Sequence, residues 1–277
     1  MTAEGLQTLQ EWNWAPSIWL GVSLLVMLYL GAAGPIRSHF KDSQAVSHWQ
    51  IFYFLFGALI IWFALVSPLD AAADDYLFSA HMLQHLLLTL VAPPLLLLGT
   101  PGWMLRPLMK SKIVKSILRV LTAPVLAYLI FNLDFLAWHI PAFYEATLQN
   151  ESIHIVEHLS FVITATLTWW PVLSPLDELP PLPAPVQILY LFLEGVPTTV
   201  LSAIIVFANN VLYPTYAAAP RAFGISALTD QSIAGLVMGM PGGMIYLLAL
   251  TIVFFRWNSR EEKRDLLESG GAIKSPQ

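Results

Sequence analysis

The 277-residue chain contains no cysteine. Disulfides, thiolate metal sites and thiol nucleophiles are thereby excluded, and any metal ligand must come from His, Asp, Glu or Met. Charge is scarce as well: 11% of residues are charged, against about 25% in an average soluble domain. Apolar residues fill the gap, at 57% of the chain with a mean hydropathy of +0.66. A soluble body of this size has no means of hiding so much apolar surface, so lipid must be the solvent for much of it. The net charge of -5 and the lack of a large basic patch exclude nucleic acid as a partner. Polar sequence is too short to build a second domain, and residues 1–277 are expected to form a single membrane domain. The opening MTAEGLQTLQEWNW lacks the positive stretch of a signal peptide, so the first apolar segment is expected to be a retained helix.

A spanning helix needs about 20 mostly apolar residues. Seven segments are candidates, at approximately 15–34, 49–67, 79–100, 119–137, 153–173, 186–210 and 230–255. The expected fold is therefore all-α, a polytopic bundle of seven transmembrane helices. An excess of Lys and Arg marks the cytoplasmic side of such a bundle. With seven spans, twelve of the thirteen basic residues fall on one side: Arg37 and Lys41, the run Arg106, Lys110, Lys112, Lys115 and Arg119, and the tail residues Arg256, Arg260, Lys263, Arg264 and Lys274. The opposite loops carry Asp70, Asp74, Asp75, Glu145 and Glu151, with Arg221 as the exception. This pattern predicts the N-terminus outside and the C-terminus inside, with 256–277 a cytoplasmic tail. Trp12, Trp14, Tyr76, Trp138 and Tyr144 fit an outer aromatic belt, and Trp49, Trp103, Trp169, Trp170 and Trp257 an inner one. Proline and glycine at Pro93-Pro94, Gly195 with Pro197, and Met240-Pro241-Gly242-Gly243 predict kinks in the third, sixth and seventh helices.

Orientation gives the histidines their meaning. Five of the seven, His81, His85, His139, His154 and His158, map to the outer ends of the third, fourth and fifth helices. His81 and His85 in HMLQH are four apart, which stacks them on one helix face with roughly 6 Å between them. His154 and His158 in HIVEH repeat the arrangement, and His139 in WHIP arrives at the same depth from the opposite direction. A lone interfacial histidine is more often a hydrogen-bonded structural group than a ligand. Two pairs and a fifth ring at one depth point instead to metal, because ionisable groups inside a span are costly. Imidazoles without thiolate suit copper, zinc, nickel or iron, and the affinity order favours copper. Met82 is a thioether candidate, although it points off the His81/His85 face. Liganding imidazoles lean on carboxylates or carbonyls, which makes Glu157, Asp134, Asp230 and Gln84 supporting candidates. For Asp230 a role at its own helix N-terminus competes with this. Glu194 lies about 13 Å into the sixth helix. It is read either as a proton or cation relay or as a structural polar pair.

These residues also carry a resemblance. His81-Met82-Leu83-Gln84-His85, Trp138-His139-Ile140-Pro141 with Phe143-Tyr144, and His154-Ile155-Val156-Glu157-His158 resemble the seven-helix CtaG family of cytochrome c oxidase assembly factors, the caa3-associated type. Trp169-Trp170-Pro171-Val172, Pro214, and Asp230-Gln231 with Ala234-Gly235 fit the same pattern, so the resemblance covers nearly the whole chain. It implies a bacterial plasma-membrane protein that is not an enzyme. The implied role is copper binding and delivery to the catalytic subunit of a haem–copper oxidase, with a soluble copper donor as a second partner. It makes His81, His85, His139, His154 and His158 the copper-site candidates and Asp134, Glu157 and Asp230 their polar support.

Three other readings compete. Opposed histidines on neighbouring helices can ligate haem in an electron carrier, which predicts a strong visible absorption band. A His-rich membrane metalloenzyme using Glu157 as acid–base would need an open coordination position and a cleft to the bilayer. A metal transporter would need a polar route from the histidine layer past Glu194, and the third, fifth and seventh helices are nearly free of polar side chains at mid-depth.

Overall fold

Lipid offers no partner for a free backbone N–H or C=O, which drives a chain this poor in charge into helices. The computed structural model describes residues 1–271, with side chains as far as 268, and every regular element in it is helical. In chain order these are α1 (Ala3–Thr8), α2 (Pro16–Ala33), α3 (His48–Val66), α4 (Pro68–Asp75), α5 (Phe78–Leu86), α6 (Ala92–Gly99), α7 (Gly102–Leu105), α8 (Lys112–Leu121), α9 (Pro124–Trp138), α10 (Pro141–Gln149), α11 (Glu151–Leu173), α12 (Ala184–Val206), α13 (Pro214–Ala218) and α14 (Ala227–Gly271). A π-helical turn, Leu87–Val91, joins α5 to α6.

Local chemistry sets the boundaries. Ser47 and Gln50 form a reciprocal capping box at the start of α3. Proline opens α2, α4, α9, α10 and α13, where its missing N–H costs nothing. The π turn precedes Pro93-Pro94, and Pro93 has no N–H to give the Thr89 carbonyl one turn back. The indole of Trp169 on α11 donates to that carbonyl instead, at 3.2 Å. By contrast α12 and α14 run on as single helices through Pro197 and Pro241.

The bundle carries its apolar surface outward as well as inward. Leu20, Leu24, Met27 and Leu28 on α2 and Phe192, Val200 and Ile204 on α12 are exposed, as lipid-facing residues should be. Inside, small residues let helix backbones approach. Gly235 of α14 lies against Ser202 and Val206 of α12, and a Cβ there would stand 2.6 Å from the Val206 side chain and 3.1 Å from the Ser202 carbonyl. Two aromatic cores result. One, with Trp169, Trp170, Tyr190 and Tyr246, lies toward the end of the bundle away from the histidines. The other, with Phe78, Phe135, Tyr144, Phe161, Tyr213 and Tyr216, surrounds the histidine end.

The expected count of seven spans is corrected. Among the described residues, five helices are long and apolar enough to cross a membrane: Pro16–Ala33, His48–Val66, Phe78–Gly99, Ala184–Val206 and Ala227–Glu268. Lys112–Leu121 and Pro124–Trp138 together would make a sixth, but they meet at 68°. The physical reason for that bend is in α8. It carries Lys112, Lys115 and Arg119 on one face and exposed Ile113 and Ile117 on another, the pattern of a helix lying along an interface. The segment expected at 153–173 is helical, but Glu151, His154, Glu157, His158, Ser160 and three threonines leave α11 short of the hydropathy of the others. The outside N-terminus and inside C-terminus rest on the charge pattern of seven spans, and a count of five or six leaves the orientation undetermined. Two boundaries also move: the sixth expected span ends at Val206 rather than 210, and α14 continues past 255 to Gly271. Lys274 lies outside the described residues.

Candidate metal centre

Two helix starts position the site. The N-terminus of α5 has no side-chain cap of its own. Asp230, from α14, supplies one: Oδ2 accepts from the Phe78 amide at 2.7 Å, and Oδ1 accepts from the Ser79 amide at 3.2 Å and from the Ser79 hydroxyl. The start of α11 is held by Asn150, whose Oδ1 accepts from the amides of Ser152 and Ile153 at 3.0 and 3.2 Å. With both first turns fixed, the four-residue spacing delivers His81/His85 and His154/His158 to one buried layer. His154 and His158 rings lie 4.2 Å apart, His81 lies 5.4 Å from His154, and His85 lies 5.4 Å from His158, between ring centroids.

One ligand atom from each of His81, His154, Glu157 and His158 falls within 4.8 Å of the others. His85 stands at the edge of this group, its Nε2 2.7 Å from Nε2 of His81 and 3.7 Å from Oε1 of Glu157. Oε2 of Glu157 is 3.9 Å from Nε2 of His81. The Tyr216 hydroxyl sets the tautomer of His81. Tyr216 spends its one proton on the Ala73 carbonyl at 2.7 Å, and burial holds its phenol well above the ordinary range, so it stays neutral. Toward His81 Nδ1, 2.9 Å away, it can only accept. Nδ1 therefore carries the proton, and the Nε2 lone pair, which accepts from Nε2–H of His85 at 2.7 Å, faces the group.

The donor set fits a metal ion. Buried polar atoms are nearly always hydrogen-bonded, yet His85 Nδ1, His154 Nε2, His158 Nε2 and both oxygens of Glu157 are buried without a hydrogen-bond partner. These are nitrogen and oxygen donors of the kind that bind borderline transition metals. Haem does not fit. The imidazoles of α5 and α11 pack directly on one another and on Phe161 and Tyr144, with no slot for a planar macrocycle.

The remaining candidates are placed elsewhere. His139 stands apart from the four-residue group: Nδ1 donates to the Phe135 carbonyl at 2.7 Å, and Nε2 faces the sulfur of Met82 at 3.4 Å. Met82 was expected off the His81/His85 face, and there it meets His139. Asp134 accepts from Trp138 and from Thr164, both at 3.0 Å, and ties α9 to α11. Gln84 donates to the Ala64 carbonyl and to Asp70, both at 2.8 Å. Asp230 caps a helix, as the structural reading of it held, but the helix is α5 rather than its own. Glu194 belongs to a second polar cluster, accepting from Thr168 at 2.6 Å and from Asn132 at 3.0 Å. Glu157, expected as support, lies among the ligand atoms themselves.

Two residues facing the group were not singled out from sequence. Tyr216 carried no local signal. Asp74 was counted only as a loop acid, yet its Oδ2 lies 3.6 Å from His154 Nδ1. Asp74 follows Asp70 by one helical turn, and both precede an HxxxH helix; that spacing is the signal available in the sequence. Burial, reinforced by Asp70 and Asp75, pushes the Asp74 carboxyl well above the usual range.

Comparison with known proteins gives one match. The family model described as cytochrome c oxidase caa3 assembly factor (Caa3_CtaG) matches residues 27–260. No curated protein and no solved structure matches the chain.

Proposed function

The chain belongs to the caa3 cytochrome c oxidase assembly factors, and on that premise we propose that it holds copper at the His81–His154–Glu157–His158 group and passes it to the catalytic subunit of the oxidase. Membership makes it a multi-pass membrane protein of oxidase biogenesis, with no reaction of its own to catalyse. One observation carries the metal reading: unpartnered buried nitrogens and carboxylate oxygens of His154, Glu157 and His158 on α11 converge with His81 of α5. Copper is preferred on donor chemistry. Imidazole binds it well, copper heads the divalent affinity order, and the Met82 thioether beside His139 suits its reduced state. In this reading a soluble donor delivers the ion, His85 and His139 flank the group, and the oxidase subunit takes the ion by ligand exchange across a lateral helix contact.

The test is metal analysis of the purified full-length protein after exposure to cuprous ion, beside His81→Ala and His158→Ala. Stoichiometric copper in the wild type, lost in both variants, supports the assignment. Equal copper in all three overturns it. Oxidase from cells lacking the protein should be short of catalytic copper, and a fully metallated oxidase would overturn the delivery role.

A further inference from the structure

The metal group is sealed on nearly every side. His81 and Glu157 have no exposure, and His85 and His158 keep 2% and 8%. At the mouth stand the side chains of His154, 12% exposed, and Asp74, 36% exposed. An ion that reaches the buried group from water therefore passes between these two.

Asp70 and Asp74 are one turn apart on α4 and make an internal comparison. Both oxygens of Asp70 are satisfied, Oδ2 by Asn13 at 2.7 Å and Oδ1 by Gln84 at 2.8 Å. That is a structural carboxylate, tying α4 to the N-terminal segment and to α5. Asp74 is not satisfied. Its Oδ1 is buried without a hydrogen-bond partner, and its one ion-pair contact among the described residues is His154. The loop cation Arg221 is engaged by the carbonyls of Tyr216, Ala217 and Ala219. On the other side of the same contact, His154 Nε2 is buried and also without a partner. A carboxylate oxygen and an imidazole nitrogen are thus left without partners on the two partly exposed residues that edge a cation-binding group.

We propose that Asp74 and His154 form a capture position for the incoming transition-metal cation, from which His154 hands it to the buried His81–Glu157–His158 donors. The inference rests on the metal-centre reading above and adds a kinetic role to it. Asp74 supplies a first oxygen donor at the mouth, and a negative charge in buffer alkaline enough to ionise its carboxyl, and His154 belongs to both positions. A negative side chain at the mouth of a low-dielectric cleft raises the on-rate of a cation by about ten- to a thousandfold, and salt weakens that effect.

The experiment follows loading of cuprous ion, presented from a weak colorimetric chelate, into the full-length protein in detergent micelles. It records both the rate and the final stoichiometry for the wild type, Asp74→Asn, Asp74→Glu and the exposed neighbour Asp75→Asn. Asp74→Asn should load at least about tenfold more slowly and reach the wild-type stoichiometry. Asp74→Glu should recover the rate, Asp75→Asn should leave it unchanged, and added salt should slow the wild type. Wild-type rates in Asp74→Asn with full loading would overturn the capture position and leave the buried centre standing. Loss of the ion at equilibrium in Asp74→Asn, with Asp74→Glu and Asp75→Asn loading normally, would make Asp74 a resident ligand and also overturn it. A wild type that takes no metal would overturn the centre itself.

Discussion

Glu157→Gln separates the two demands on this site, because it should move metal affinity and metal-free stability in opposite directions. Glu157 is the one acid in the four-residue group, has no exposure, and leaves both oxygens without a hydrogen bond. Its oxygens lie 3.7 and 3.9 Å from the nitrogens of His85 and His81. A unit positive charge held among those nitrogens would stand about 4 Å or less from the carboxylate. At an effective dielectric of about 20 that is worth about 4 kcal/mol, or roughly a thousandfold in affinity. Glutamine keeps the shape and removes the charge, so cuprous affinity should fall by about that factor. Without metal the same carboxylate is a liability, since a buried charge lacking a partner is costly. Thermal unfolding of the metal-free variant in micelles should occur at the wild-type temperature or above it. Affinity follows from competition with a chelator of known strength. An unchanged affinity, or a metal-free variant that melts well below the wild type, would refute the reasoning that Glu157 serves the ion rather than the fold.

Other consequences follow from the same contacts. Asp230→Ala removes three acceptor contacts from the start of α5 and should cost about 2–4 kcal/mol, read as a lower unfolding midpoint, with weaker metal binding as His81 and His85 lose their anchor. Glu194→Gln keeps only one of the two acceptor oxygens and turns an NH2 toward the other donor, and should cost about 1–2 kcal/mol, whereas Glu194→Ala removes the acceptor for both Thr168 and Asn132 and should cost about 2–3 kcal/mol, with metal stoichiometry unchanged in each. Copper affinity should weaken as pH falls, because imidazole and carboxylate bind metal only when deprotonated. Each proton displaced by the ion contributes a factor of about ten per pH unit below the ligand's own titration, and a pH-independent affinity would contradict imidazole ligation.

The parts of the site that could be read in the sequence are the parts that a single helix determines. A four-residue spacing places two rings on one face wherever the helix goes, so the pairs in HMLQH and HIVEH were visible as pairs. The contacts between elements were not. Asp230 looked like a first-turn acid of α14, and only the packing of α14 on α5 turns its carboxylate onto another helix's open amides. Tyr216 lies 135 residues from His81, and no periodicity links them, yet its hydroxyl decides which nitrogen of His81 is free. His139 shares the layer by depth. Its tautomer is committed to the Phe135 carbonyl, a local contact whose consequence is that the free nitrogen turns to Met82.

One of the two spans lost from the expected count, 153–173, is lost for the same reason that the site exists. Counting apolar segments assumes that a membrane helix spends its residues on meeting lipid. Most of this bundle conforms: α12 exposes Phe192, Val200 and Ile204 and keeps its single acid turned inward. The helix α11 departs from the pattern because its first turns hold Glu151, His154, Glu157 and His158, and Ser160, Thr164 and Thr168 follow on the packed side. Substituting those polar residues with leucine would raise the hydropathy of α11 to that of its neighbours and delete the donor set. Where an otherwise apolar chain concentrates imidazoles and a carboxylate on one helix start, the shortfall in hydropathy is itself the mark of where the chemistry lies.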